Sequence, residues 1–536
     1  ELGVCYEAGD GVGKDEAKAA GLYRKAAVQG YAEAQKKLGD CYTHGIGVAK
    51  DLEQAFECYS KAAKQGNVKA QYNLGLCYMK GNGVTKDLVQ AVEWYERAAE
   101  QGLAEAQYYL GRCYNNGEGV EKDPKKAAMW CEKAAEQGIA VAQYYLGCCY
   151  EDGKGVTKDL ARAAEWYRKA AESGNVKAQF ALGKCYYYGN GTEVNYETAA
   201  RWIQKAAEQG NADAQNLLGD CYCYGYGVEP NNEESAKWYE KAANQGNTKA
   251  QYSLGRCYRN GTGKRKDLAE AVKWYEKAAE GGNADAQNSL GYCYEVGEGV
   301  TEDLAKAAKW YRESAENGNE VAQCNFGLCY EYGKGIKKDL AEAAVWYDES
   351  AEHGYARAQF KIGLFYDKGY GVAQNKEEAA KWYRKAADQG DADAQCNLGY
   401  CYKKGEGVTK DPVRAAELYR KSAEQGNATA QYNLGICYEY GNGVTLLKAT
   451  AAEWYRKAAD QGDSDAQYKL GVFYENGYGV TQDKEQAMQW YKKAAEQGNE
   501  SAKNAIDGMQ GGGLGTAVAA GAALGGAALL WKILRG

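Results

Sequence analysis

Residues 106–141 read AQYYLGRCYNNGEGVEKDPKKAAMWCEKAAEQGIAV, and the same pattern recurs from end to end of the 536-residue chain. A Leu-Gly pair marks the register, from Leu2-Gly3, Leu38-Gly39 and Leu74-Gly75 through to Leu434-Gly435 and Leu470-Gly471. Phe326-Gly327 and Ile362-Gly363 are its two variants. This gives 14 copies at a constant spacing of 36, without insertion or deletion. Self-similarity at a fixed period is the signature of a repeat architecture.

Within one copy, Ala106, Leu110, Cys113 and Tyr114 stand at i, i+4, i+7 and i+8 and share one face of a helix, here helix A. Gly117 and Gly119 then stop it, because glycine enters the φ > 0 region without the strain other residues meet. Asp123 reads as the N-cap of a second helix, helix B, which carries Ala127, Trp130 and Ala134 on one face and ends at Gly138. The cap site holds Asp or Asn in 13 of the 14 copies, and a glycine closes helix B in all 14. Pro124 and Pro412 occupy first helical positions, where proline is tolerated. A lone two-helix hairpin cannot bury its apolar face, whereas stacked copies can. The expected fold is therefore all-α, a solenoid of about 14 helix-turn-helix repeats of 36 residues.

The pattern A-x(7)-Y-x(2)-G-x-G-V-x(2)-D-x(3)-A-x(2)-W-Y-x-K-A-A-x-x-G resembles the Sel1-like repeat family, a relative of the tetratricopeptide repeat. It is carried by Ala70, Tyr78, Gly81, Gly83, Val84, Asp87, Ala91, Trp94, Tyr95, Ala98, Ala99 and Gly102, with Arg97 in place of the Lys. The resemblance covers residues 1 to 507. It implies a right-handed α/α superhelix that acts as a scaffold for partner proteins.

The formal net charge is −7 and the pI about 5.4, which gives no basic stripe for nucleic acid. The basic run Lys264-Arg265-Lys266 falls in a turn and reads as solvated. So do Glu93, Glu96, Lys273 and Lys277 along helix B. Of 18 cysteines, twelve recur in register on helix A, from Cys5 and Cys41 to Cys401 and Cys437, and Phe365 and Phe473 stand at the other two sites. A position that accepts Cys or Phe is an apolar core position. Equivalent residues one helix spacing apart, roughly 8–10 Å, are too far for a disulfide. The ladder is expected to be unbridged, which argues for a reducing, cytoplasmic setting. A secreted bacterial family of cysteine-rich repeat proteins, which this chain resembles, carries a Cys pair with seven residues between in each unit. That spacing does not recur here, so the hydrolase alternative this family suggests is disfavoured.

No catalytic, cofactor or metal constellation is legible. Only His44 and His353 exist, Cys41 beside His44 belongs to the core ladder, and Cys221-x-Cys223 and Cys148-Cys149 are isolated. Gly261-Thr262-Gly263-Lys264 lacks the phosphate-loop spacing. The chain is read as a non-enzyme. In the thirteenth copy Leu447 occupies the cap site, at a cost of about 1 kcal/mol.

Glu1 begins within helix A, which suggests sequence upstream. Residues 508–536 change character. Gly508 to Trp531 carries no charge, and about 20 mostly apolar residues suffice to span a bilayer. Gly521 and Gly525 form a close-packing face, and Trp531, Lys532 and Arg535 suit an interface end. The tail is a candidate membrane anchor, with a Gly-rich solvated tail as the alternative. An anchored chain would resemble the membrane-tethered adaptors of protein quality control.

Positions that vary between copies carry specificity. On helix A they form a stripe, as at Tyr109, Arg112 and Asn116. By resemblance to tetratricopeptide stacks this stripe lines the concave wall. Tyrosine and arginine anchor interfaces, so the candidate partner-binding residues are these three with Tyr145, Lys184, Tyr188, Asp220, Tyr224, Arg256, Tyr292, Tyr332, Tyr400 and Tyr440. The expected partners are proteins or peptides.

Overall fold

One hairpin sets the pattern. α7 (Ala104–Asn116) and α8 (Pro124–Glu136) have 13 residues each and are joined by the glycine turn. The structure, a computed structural model, describes residues 1–510. Among them it places 29 helices, from α1 (Leu2–Ala8) to α29 (Glu500–Gln510), and no strand. Odd-numbered helices are the A helices and even-numbered ones the B helices. α29 continues past the 507/508 boundary read from composition. The tail residues Gly521, Gly525, Trp531, Lys532 and Arg535 lie outside the described residues. No helix among the described residues is long and apolar enough to cross a membrane.

Local chemistry explains each boundary. The Asp123 carboxylate accepts from the Lys125 and Lys126 amides at 3.0 Å, satisfying donors that the first turn leaves orphaned. α26 (Lys448–Asp460) has Leu447 at this site and no side-chain cap bond. Gly117, at φ 73°, ends α7 with its amide on the Cys113 carbonyl at 2.9 Å. The second turn glycine has a different reason. A Cβ on Gly119 would lie 2.2 Å from the Leu88 carbonyl oxygen of the preceding hairpin. Here glycine permits a backbone approach as well as a turn.

The Leu-Gly mark has a packing cause too. A Cβ on Gly75 would stand 2.7 Å from the ring of Tyr95, which is fully buried. Two copies fill this slot differently, with Cys131 against Gly111 and Ile203 against Gly183. Cys131 is therefore the hairpin's core residue. None of the 18 cysteines is in a disulfide, and of the in-register ladder only Cys5 is not buried.

Buried glutamines stitch hairpin to hairpin. Gln107, 5 % exposed, donates to the Ala99 carbonyl at 3.1 Å and accepts from Gln137 Nε2 at 2.8 Å. Such a Gln–Gln bond recurs, as at Gln101–Gln71 (2.7 Å) and Gln209–Gln179 (2.7 Å). His353 fills the outer slot in one copy, its Nδ1 2.9 Å from Gln323 Oε1. Lys277, read as merely solvated, lies 4.0 Å over the Trp274 ring, and the same stack recurs at Lys133–Trp130 (4.2 Å) and Lys385–Trp382 (3.7 Å). Lys264, from the basic run, pairs with Glu240 at 2.8 Å.

The chain divides into two units. One holds Glu1–Ala286 with Glu298–Val300, and the other holds Gln287–Gly297 with the chain from Thr301. Each is a stack of hairpins in which consecutive helices pack together.

Candidate functional site

Within each unit, successive odd helices lie side by side. In the first, Asn73 Nδ2 reaches Asp40 Oδ1 at 3.3 Å. In the second, Asn325 Nδ2 reaches Asn288 Oδ1 at 3.0 Å. The first position of the predicted stripe is therefore largely consumed by contacts between neighbouring helices, and free surface collects at its last position.

In the first unit the structure joins Tyr109, Arg112 and Asn116 into one network. The Arg112 guanidinium lies 4.8 Å over the Tyr109 ring and 3.8 Å from Glu118, which accepts from Asn116 Nδ2 at 3.0 Å. Tyr109 also packs on Tyr72 and Tyr95, each with ring centroids 5.6 Å away, and is half-buried. Tyr145 is half-buried against the core that holds Leu146 and Cys149. Lys184 lies over Phe180 at 5.1 Å, and Arg256 lies at 5.9 Å from Tyr252. Asp220 accepts from the Tyr239 hydroxyl at 2.7 Å, and burial pushes its carboxyl up.

Tyr188 and Tyr224 end α11 (Val176–Tyr188) and α13 (Ala212–Tyr224) and are 59 % and 56 % exposed. They are linked through three rings that the stripe did not include. Tyr187 lies 4.8 Å from Tyr188, 5.4 Å from Tyr196 and 5.6 Å from Tyr226. Tyr226 lies 5.8 Å from Tyr224. The five rings make one continuous aromatic ledge. Its sequence signal was available, since Tyr196 opens α12 (Tyr196–Glu208) where sister copies carry Leu52, Leu88 or Leu160. It was missed because Tyr196 and Tyr226 belong to helix B and a turn.

In the second unit Tyr292, on α17 (Ala284–Val296), is exposed. So are Tyr332, which ends α19 (Glu320–Tyr332), and Tyr440, which ends α25 (Ala428–Tyr440). Lys361 sits 5.6 Å over the Tyr332 ring and Lys469 5.4 Å over Tyr440. Both lysines are held from behind, by Glu331 at 3.4 Å and Glu439 at 3.1 Å. Tyr400 is half-buried, with Lys404 5.8 Å over its ring. His44 Nδ1 lies 2.9 Å from the Asp40 carbonyl, and Cys41 beside it is buried. Among the described residues no group of three His, Cys, Asp or Glu is placed to hold a metal.

The Sel1 repeat pattern matches 14 consecutive segments, from residues 1–31 and 32–67 through to 464–499. The chain belongs to the Sel1 repeat family. An Escherichia coli protein described as a protective antigen of uropathogenic strains displaying an SLR fold is 38 % identical, over 87 % of this chain and 99 % of that one, with a TM-score of 0.64. A Sel1 repeat protein from Oxalobacter formigenes is 34 % identical over 58 % of this chain and 90 % of its own, at a TM-score of 0.48. No curated protein matches the chain. A Sel1 repeat solenoid is in general a protein-interaction scaffold, and the family is typically non-catalytic.

Proposed function

We propose that this Sel1 repeat chain is a non-catalytic adaptor that holds peptide segments of partner proteins on the surface lined by its A helices. The observation that carries the reading is the recurrence of exposed tyrosine at the same edge of helix A. Tyr188 and Tyr224 supply it in one unit and Tyr332 and Tyr440 in the other, all 47–59 % exposed, with Tyr292, 41 % exposed, one turn earlier on its helix. Tyrosine brings a large, rigid contact area with a hydroxyl at its tip, which suits it to anchoring an interface. Tyr109, Arg112, Asn116, Tyr145, Lys184, Asp220, Arg256 and Tyr400 would set the shape and charge around these anchors.

The test is affinity capture from the source cell with the full chain, followed by direct binding of the captured partner to purified variants. Tyr188→Ala with Tyr224→Ala, or Tyr332→Ala with Tyr440→Ala, should weaken the partner at least tenfold, as loss of interface hot spots does. Undiminished binding to both double variants would refute the placement. A membrane tether at residues 508–536 is a second reading, favoured by the charge-free run from Gly508 to Trp531. Deleting these residues should then move the chain out of the membrane fraction, and an intact chain already absent from that fraction would refute it.

A further inference from the structure

Six copies carry glutamate at one position near the end of helix A: Glu7, Glu151, Glu295, Glu331, Glu439 and Glu475. Each accepts the hydroxyl proton of the buried helix-B tyrosine of its own hairpin, as in Tyr311–Glu295 (2.7 Å) and Tyr491–Glu475 (2.6 Å). Four of them also take a lysine from the next hairpin, in Lys37–Glu7 (2.9 Å), Lys361–Glu331 (3.4 Å), Lys469–Glu439 (3.1 Å) and, from the turn, Lys334–Glu295 (2.8 Å). The carboxylate is the hub of a recurring Tyr–Glu–Lys relay.

The twelfth hairpin inverts it. Lys403, on α23 (Ala392–Lys404), stands where the glutamate would be, and Asn433 stands where the lysine would be. Lys403 Nζ donates to Asn433 Oδ1 at 3.2 Å, and Asn433 is itself 5 % exposed and bonded through Nδ2 to the Thr429 carbonyl. The Tyr419 hydroxyl, the counterpart of Tyr311 and Tyr491, is buried with no partner. Among the described residues neither Lys403 nor Lys404 forms an ion pair. The nearest acid along the chain, Glu406, is held by Lys376 at 3.1 Å. Burial pulls the Lys403 ammonium below the usual lysine range, which marks the cation as short of a counter-charge. Beside it Lys404 is exposed over Tyr400.

We propose that Lys403 and Lys404 form a recognition point for a carboxylate carried by a bound peptide. This deepens the adaptor reading above and rests on it. The ligand's carboxylate would supply from outside the negative charge that six sister copies build in. The two ammonium groups would fix its place, and Tyr400 would flank the adjoining residue. A carboxylate is favoured over other groups because two ammonium groups stand here with no ion pair among the described residues, at a position where six sister copies carry a glutamate carboxylate.

The test is selection of a random dodecapeptide phage library on the full chain and on two double variants, Lys403→Gln with Lys404→Gln and Lys403→Glu with Lys404→Glu. The wild-type chain should enrich peptides with Asp or Glu at one fixed position. The Gln variant should lose that preference, and the Glu variant should replace it with Lys or Arg. Synthetic copies of a winning peptide with the acid changed to Asn or Gln should bind about tenfold more weakly, the scale of one charge-assisted hydrogen bond. Copies with free and amidated C-termini distinguish a side-chain carboxylate from a terminal one. Enriched peptides without acidic preference, or with one the variants retain, would overturn the carboxylate point and leave the adaptor reading intact. If the wild-type chain enriches no peptide, both fall. Removing a half-buried cation relieves a desolvation cost, so the Gln variant should fold, which matching circular dichroism melts would verify.

Discussion

Ser173→Gln should stabilise the chain locally by completing the glutamine stitch. Ser173 caps α10 (Leu160–Glu172) where Gln137 and Gln209 cap the sister helices. Without a glutamine there, the Oε1 of Gln143, on α9 (Ala140–Asp152), is buried and has no partner. The backbone is already correct. Ser173 sits at φ −78°, ψ 6°, Gln137 at −81°, 4° and Gln209 at −85°, 9°, so an introduced amide can adopt the rotamer that reaches 2.7–2.8 Å in the sisters. Satisfying a buried acceptor contributes roughly 1–3 kcal/mol. Ordering an exposed glutamine opposes this by up to about 1.5 kcal/mol. The exposed Ser173 Oγ bond to the Lys169 carbonyl is lost, but sister glutamines reach the same carbonyl, as Gln209 does to Lys205. The net gain is about 1 kcal/mol, which corresponds to roughly fivefold slower opening. In a solenoid, stability is a sum over repeats and interfaces, so the effect should be local. Native-state hydrogen exchange of peptides spanning residues 140–172 measures it. Gln137→Ser, the reverse change one hairpin earlier, should speed exchange of residues 104–136 by a similar factor. If Ser173→Gln leaves exchange unchanged or faster while Gln137→Ser speeds it, the rotamer argument is wrong. If both are silent, the stitch contributes nothing.

Gly119→Ala should cost at least about 3 kcal/mol, because it combines a left-handed residue with a clash against a fixed backbone carbonyl. Gly138→Ala, at φ 90° with open space around its Cβ, should cost only about 1 kcal/mol, and equal losses in denaturant melts would contradict the distinction. Leu447→Asp should recover about 1 kcal/mol of cap energy, read as slower exchange at the start of α26. Denatured, unreduced protein should titrate as 18 free thiols. In the native chain, burial pushes Cys113 and Cys149 up to about 11 and Cys221 up to about 12. These should resist alkylation at pH 8 while half-buried Cys5, Cys148 and Cys223 react first. Glu295 gives a pH signature. Burial raises its carboxyl, but bonds from Lys334 and Tyr311 outweigh this and hold it below its ordinary value. The stability it contributes is present above the unfolded pKa and is lost as pH falls through the lower folded value. Acid melts taken below about pH 4.3 should flatten in Glu295→Gln, and an unaltered pH slope would remove Glu295 from the account.

The amino-acid sequence alone determined what lies within one or two turns of chain. The two-helix unit, the Asp123-type caps and the glycine stops follow from spacings of three to eight residues, where side chain and backbone meet whatever else the chain does, and the 36-residue period and the cysteine ladder are those spacings repeated. Contacts between residues 16 to 39 positions apart were decided only by the tertiary structure. The Leu-Gly glycine marked register in the sequence, yet its cause is the Tyr95 ring laid against it. The second turn glycine looked like a second turn signal, yet it is required by a carbonyl from the hairpin before. Gln107 and Gln137 looked like unrelated polar residues until stacking brought their amides to 2.8 Å. The candidate surface divides in the same way. Periodicity identified the stripe on helix A, but the packing of neighbouring helices consumed its first position and left Tyr188, Tyr224, Tyr332 and Tyr440 at its edge. A side chain's exposure depends on the volume its neighbours occupy, and that volume is set by how one hairpin seats on the next.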